Sequence, residues 1–453
     1  MTPTEFPRIL VVTSNNFNLV TGGGITLTNL FRGWPADRIA NLHEDSTPED
    51  HSVCQHFYRL SEEEIQWAWP FSRFQSWYKR LSFPPVRDPS DLDGMDPPAA
   101  GGEGAMWVRL ARRAFGDGVP RAVTISGRLR QWLERFRPQL LYGFLGSMAQ
   151  IHLMGELART CQIPLTIHIM DDWPAVLYRR GLLGPVFRRA VQREFLGIVR
   201  GASLCMGICE DMCKEYQRRY GFPFLPFHNA LDLDQWIPHA KRDWKAGSPF
   251  VVRYVGSIVP DGQREALRDV CQAVTDLRSS GKPIEMWIHA PAPQVAFLQP
   301  DLTGNGFHLA APPPPEAVAH LLSGADLLVL PFNFDKRSLQ YIRLSMPTKV
   351  PAYMASGTPV LVYGPAGIAT ARYAEQDGWG HVLSSPGLTP LQKTLLWLMD
   401  DEAARERLGR RAQKLTYEHH DAAHIRPNFQ ALLSAAAQCQ DLSQRTAGAR
   451  EQP

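Results

Sequence analysis

Residues 343–365 read RLSMPTKVPAYMASGTPVLVYGP. A polar turn with Ser345, Thr348 and Lys349 leads into a short helical segment; Ala355, Ser356 and Gly357 stop it, and an apolar strand begins at once. Glycine readily takes the left-handed conformation that ends a helix. A helix followed this closely by an apolar strand is the repeating unit of a parallel α/β sheet. A lysine, hydroxyls and free N–H groups at a helix start also suit a diphosphate. The plainer alternative is a capped helix with a solvated lysine.

The alternation extends in both directions. Towards the N-terminus of this block come FVVRYVGS (250–257), a helix near 263–278, IEMWIHA (284–290), and a proline-initiated helix in PPPPEAVAHLLSGADLLVLPF (312–332) that runs into another strand. Beyond the opening stretch lie GPAGIAT (364–370), with glycines between strand and helix, and a helix at 390–400. An earlier block has the same rhythm: strand RILVVTS (8–14), a helix after TGGGITLTNL (21–30) and strand RIANL (38–42). It continues with a helix at 126–136, strand QLLYGF (139–144), a helix at 147–161 and strand IPLTIHIM (163–170). A helix at 210–220, Gly221 and a short strand ending at His228 and Asn229 close it. Strands alternating with helices predict two doubly wound parallel sheets. The expected divisions are 1–236, a charged prolyl linker 237–248, a second domain 249–412, a helical segment 413–439 and a flexible tail 440–453. Within the first domain, 82–104 is rich in Pro, Gly and Asp and is expected to be a mobile loop.

Composition excludes several classes. With 453 residues, 44% hydrophobic and 21% charged, the chain is an ordinary globular protein too long for one core. A net charge of +3 gives no global field for nucleic acid, and no nucleic-acid partner is expected. No apolar run reaches the ~18 residues a membrane span needs. The seven cysteines, an odd count, and the lack of a secretory leader favour a reducing, cytoplasmic setting. Cys205, Cys209 and Cys213, four apart, could share a helix face, although buried thiols are the commoner outcome.

Four features carry chemistry. The glycines of TGGGITLTNL let backbone approach an anion at a helix N-terminus. As a dinucleotide fingerprint the stretch lacks its third glycine, since Leu27 stands there, while Glu44 falls near the acidic position. His168 is placed at the C-terminal end of a strand, where open sheets put ligands, and Asp171, Asp172 and Trp173 follow in a turn set by Pro174. Adjacent carboxylates point in different directions, so a shared-proton pair is not expected. A helix cap with a packed tryptophan is the plainer reading. Gly364 and Gly367 form a second glycine junction. Finally, 177–200 places Arg179, Arg180, Arg188, Arg189, Arg193 and Arg200 against Glu194 among apolar residues, and 67–80 interleaves aromatics with basic residues. Both suit an anionic membrane surface, or else a solvated face over core aromatics. No metal motif is present, and no metal or other cofactor is expected.

With these residues laid out, the chain resembles a retaining GT-B glycosyltransferase of the family 4 type over nearly its whole length. The likeness rests on the order TSNNFNLVTGGGITLTNL, IPLTIHIMDDWP, ICEDMCKEYQRRYG with FHNALD, YVGS, and PTKVPAYMASGTPVL. It implies two Rossmann-like domains facing across a cleft, with the nucleotide-sugar donor on the second and a glycan or lipid-linked acceptor on the first. Gly23 and Gly24 would approach the donor phosphates or the acceptor. His168 would sit at the reaction centre, Lys349 would contact the diphosphate, and the C-terminal helix would pack back on the first domain. The departures are specific. The family's two glutamates would fall on Leu344 and Ala352, and the places of its Arg and Lys after the second domain's first strand are Ser257 and Gly262. Arg253, Arg343, Lys336 and Arg337 are the available replacement cations. Such a chain is expected to move a sugar onto a hydroxyl in surface polysaccharide or glycolipid assembly. A non-catalytic sugar-nucleotide or glycan-binding relative is the second reading, and a nicotinamide dehydrogenase the third.

Overall fold

The structure, a computed structural model, describes residues 6–61, 63–67, 121–179, 182–295 and 306–438. The expected loop 82–104, residues 68–80 of the aromatic and basic stretch, Arg180 and the tail 440–453 lie outside the described residues.

The first sheet holds β1 (Ile9–Thr13), β2 (Ile39–His43) and β3 (His56–Arg59). After an antiparallel ribbon of β4 (Ile65–Trp67) and β5 (Arg121–Val123) it continues with β6 (Leu140–Phe144), β7 (Leu165–Ile169), β8 (Leu204–Gly207) and β9 (Leu225–Pro226). Its strands run parallel in the order β3-β2-β1-β6-β7-β8-β9. The second sheet comprises β10 (Phe250–Val255), β11 (Ile284–His289), β12 (Phe307–Ala310), β13 (Leu327–Pro331), β14 (Val360–Tyr363) and β15 (His381–Leu383). Its order is β12-β11-β10-β13-β14-β15, again parallel throughout. Every residue of β1, β2, β7, β13 and β14 is buried, which is why β1, β13 and β14 read as nearly continuous apolar runs, while β2 and β7 bury Asn41, His43, Thr166 and His168 among their apolar residues.

In each sheet the order reverses beside its first strand, between β1 and β6 and between β10 and β13. Crevices outside the carboxyl ends of strands at such points are where open α/β sheets hold ligands.

Three tethers join the two halves. The indole of Trp244, in the stretch leading to β10, donates to the carbonyl of Gly357 at 2.8 Å, and the buried Arg405 donates to the Trp244 carbonyl at 2.8 Å. Helix Glu402–His419 ends at His420, whose carbonyl accepts from the Leu231 N–H, while the Leu231 carbonyl accepts from the Ala422 N–H. Helix Ala422–Gln438 then packs on helix Gly22–Phe31 and on the first sheet. There the fully buried Phe429 meets Phe31, Phe227 and Tyr142 edge-on at centroid distances of 5.2, 5.3 and 5.9 Å, and Arg426 pairs with Asp232.

Several local expectations change. The strand expected to end at His228 and Asn229 is only Leu225–Pro226, while His56–Arg59 and Phe307–Ala310 are strands that had no sequence signal. Cys205 lies on β8 and Cys213 in helix Glu210–Tyr220, so the three cysteines do not line one helix face; each is buried.

Phe429→Ala would leave a cavity where four aromatic rings meet. It is expected to destabilise the protein by ~3–5 kcal/mol, measured by urea denaturation.

Candidate functional site

β10 ends at Val255 and opens into Gly256, whose φ is 130°. A Cβ at Gly256 would lie 2.6 Å from the Lys349 Nζ, so the strand end admits the lysine only because glycine has no side chain. The half-buried Lys349 donates to the Tyr254 hydroxyl at 2.7 Å and lies 4.1 Å from the centroid of that ring. The hydroxyl of Tyr353, in helix Val350–Ser356, accepts from the Val255 N–H at 2.8 Å and donates to its carbonyl at 3.2 Å. Two tyrosines thus lock the 343–349 turn against the switch point of the second sheet. Among the described residues no carboxylate pairs with the ammonium, and burial pushes its pKa down to about 7. Gly357 stops the helix at φ 71°, as the sequence indicates, and Gln413 packs against its bare Cα.

The first domain meets this turn with its glycine loop. Thr21 caps helix Gly22–Phe31 by accepting from the Gly24 N–H at 3.2 Å, and Asn18 accepts from the N–H groups of Val20 and Thr21. A Cβ on Gly23 would strike Asn15 and one on Gly24 would strike Asn18, so these two glycines admit asparagine side chains. Gly22 faces the other domain, where the Thr348 hydroxyl would lie 3.1 Å from a Cβ. Asn229 donates to the Thr348 carbonyl at 3.0 Å. The N–H groups of Gly22 and Gly23, in the first turn, have no carbonyl to bond within the helix.

The residues after β7 take separate places. His168 is fully buried in the sheet with its Nδ1 2.6 Å from the Tyr142 hydroxyl, and burial lowers its pKa to about 3. A ring so enclosed stays neutral and is walled off from the cleft, not presented to it. Asp172, 2% exposed, is held bidentately by Arg219 at 2.8 and 2.9 Å and receives the Tyr216 hydroxyl at 3.0 Å. Trp173 is buried and donates to the Leu145 carbonyl at 2.8 Å. Asp171 alone reaches the other domain: its carboxylate accepts from the Ser345 hydroxyl at 2.9 Å.

The remaining positions spread around this centre. Ser257 is exposed on the loop after β10, and its carbonyl accepts from the Tyr254 hydroxyl at 2.6 Å. Arg253 turns away, donating to the Leu321 carbonyl on helix Pro315–Ser323. Gly364 is buried with Phe332 where a Cβ would go, whereas Gly367 is exposed in open space. Leu344 is 2% exposed in the core, and Ala352 packs beside Leu231, Leu233 and Ala355. Arg343 pairs with Glu215, and Arg337 with Asp261. Gly256, Tyr254, Tyr353 and Asn229 are contributors that sequence reasoning missed; YVGS and the Lys349–Tyr353 spacing of one helical turn were the available signals. Among the described residues no group of three or more His, Cys, Asp or Glu could hold a metal ion.

No family model and no curated protein matches the sequence. Solved structures do match, over nearly the whole chain. Anabaena Alr3699/HepE in complex with UDP-glucose is 12% identical, covering 94% of this chain and 99% of that one, with a TM-score of 0.58. Sucrose-phosphate synthase from Thermosynechococcus elongatus is 11% identical over 94% and 97%, with a TM-score of 0.62. WaaG, a glycosyltransferase involved in lipopolysaccharide biosynthesis, is 12% identical over 95% and 98%, with a TM-score of 0.54. At such identities the likeness shows the fold: GT-B, two Rossmann-like domains facing one another.

The uncompensated ammonium has a thermodynamic signature. Its folded pKa near 7 lies below the unfolded value of about 10.4, so its penalty is absent above pH ~10.4 and complete below ~7. Lys349→Met is therefore expected to raise Tm at pH 6 relative to the parent protein, with a smaller gain at pH 9, read by calorimetry.

Proposed function

We propose that this chain transfers a glycosyl group from a nucleotide-activated sugar to a hydroxyl acceptor with the anomeric configuration retained. The carrying observation is Lys349, a half-buried cation without a counter-ion among the described residues, at the switch point of the second sheet. A site that holds a cation without an anion is poised for an anionic ligand, and a diphosphate fits the adjoining Thr348 hydroxyl and the N–H groups of the glycine loop. The structure of HepE in complex with UDP-glucose lends weight to a sugar nucleotide as that ligand.

The chemistry follows from the charge. As the bond between the anomeric carbon and the phosphate oxygen breaks, negative charge gathers on the leaving diphosphate, where Lys349 stabilises it. The acceptor oxygen bonds the anomeric carbon on the face being vacated, and its proton passes to the departing phosphate oxygen. No protein base is demanded, which suits an interior in which His168 stays neutral. Lys349 then also supplies the charge neutralisation for which other enzymes use a divalent metal.

The acceptor is a glycan or a lipid-linked sugar in surface polysaccharide or glycolipid assembly, a setting that WaaG's part in lipopolysaccharide biosynthesis supports. Helix Gly184–Gly201 favours contact with a membrane surface. At its start Leu182 is 81% and Val186 63% exposed, and Arg188, Arg189 and Arg193 stand exposed behind them. An apolar tip with a basic collar matches an anionic bilayer. No described helix is long and apolar enough to cross one.

The decisive assay is transfer and hydrolysis with UDP-, GDP- and ADP-sugars. Donor affinity is expected to weaken as pH rises through about 7, because the free protein must then recapture a proton to meet the diphosphate. Lys349→Arg, always charged, should flatten that pH profile, and Lys349→Met should lower affinity at pH 6 by roughly tenfold or more. Binding without turnover across acceptors would favour the non-catalytic relative, and binding of NAD(P) alone the dehydrogenase.

For the membrane contact, co-sedimentation with vesicles containing phosphatidylglycerol is expected. It should fall on Leu182→Ser with Val186→Ser and with rising salt, and stay low with phosphatidylcholine alone.

A further inference from the structure

Asp171 and Asp172 are neighbours in the chain with opposite surroundings. Asp172 has its oxygens taken by Arg219 and Tyr216. Asp171 is half-buried, with the Ser345 hydroxyl at 2.9 Å as its partner, and that hydroxyl also lies 3.1 Å from the Tyr341 carbonyl. One hydroxyl carries one proton and cannot serve both acceptors fully, so most of the acceptor capacity of Asp171 is unfilled. The adjoining charge is the Asp172 carboxylate, which gives no compensation.

Its location adds a second argument. Ser345 follows Leu344, where the resemblance leads one to expect a glutamate and where an apolar side chain points into the core. A carboxylate missing from the turn is thus supplied beside it from across the cleft. Lysine and arginine only donate, so Lys349 suits phosphate oxygens; a carboxylate only accepts, and vicinal sugar hydroxyls are what it can bind.

We propose that Asp171, reaching from the first domain to the 343–349 turn, reads the hydroxyls of the donor's glycosyl ring in place of the carboxylate absent at Leu344. The inference rests on the function proposed above and makes donor recognition a two-domain act. The second domain holds the diphosphate, and the first tests the sugar.

The experiment separates those two parts. Calorimetry with UDP, GDP and ADP alone is compared with UDP-, GDP- and ADP-glucose and with deoxyglucose analogues of whichever nucleotide sugar binds tightest. The parent protein is expected to favour the intact sugar over one deoxy analogue by roughly tenfold to a hundredfold, as a hydrogen bond to a charged group would give. Asp171→Ala should bring that ratio near one and leave the affinity for the bare nucleotide within about twofold, while Asp171→Asn, which keeps an acceptor oxygen, should fall between. A matching Tm for each variant shows that folding is intact, as expected when a carboxylate without a cation is removed. Unchanged discrimination in Asp171→Ala, or equal loss of bare nucleotide and sugar nucleotide, would overturn the role of Asp171 and leave nucleotide-sugar binding standing. A parent protein that binds no nucleotide would overturn both.

Discussion

Lys349 and the end of β10 have to be considered together. An ammonium taken partly out of water without a carboxylate is costly, and proteins ordinarily pair such a charge or neutralise it. Here the surroundings accept the cost and keep the group in place. Gly256 leaves the space its side chain crosses, the Tyr254 hydroxyl accepts from it, and Tyr353 pins the following helix to Val255. Gly357 and the indole of Trp244 hold the other end of that short helix. The geometry of the second domain's binding edge follows from these contacts, because each fixes the lysine's backbone relative to the sheet.

The two domains meet through polar contacts close to this edge. Arg343 reaches Glu215, Arg372 reaches Asp211, Ser345 reaches Asp171, and Asn229 reaches the Thr348 carbonyl. Apolar packing accompanies them, where Ala352 and Ala355 meet Leu231 and Leu233. The C-terminal crossing is built differently. Phe429 inserts among rings and Arg426 clamps Asp232, so helix Ala422–Gln438 is fastened to the first domain.

The polypeptide announces some of this plainly. Unbroken apolar runs such as ILVVT and LLVLP reveal strands buried on both faces, and glycines at 221 and 357 end helices in the left-handed conformation. The same property hides other features. When both faces of a strand are buried, alternation vanishes, so nothing local says on which side His168 lies; it lies inside, against Tyr142. Likewise HFYR gives no strand signal of its own, yet it is an edge strand because β2 offers a parallel partner. Glycines 23 and 24 read as a place where backbone approaches an anion, and nothing local says that their lack of side chains also makes room for Asn15 and Asn18.

What the sequence alone determined was the alternation of strands and helices in two blocks and where helices such as Val350–Ser356 stop. These follow from hydrophobic period and from glycine's freedom at φ above zero, both local properties, whereas the GT-B architecture was what the resemblance in motif order implied. Only the tertiary structure decided which of two adjacent aspartates is tied down and which faces the second domain. It alone showed that Leu344 is core, that Arg253 turns away, and that the Lys349 ammonium meets a tyrosine and, among the described residues, no acid. Charge pairing and orientation depend on residues more than a hundred positions apart, such as Asp171 and Ser345, and those distances are set when the two sheets are brought face to face.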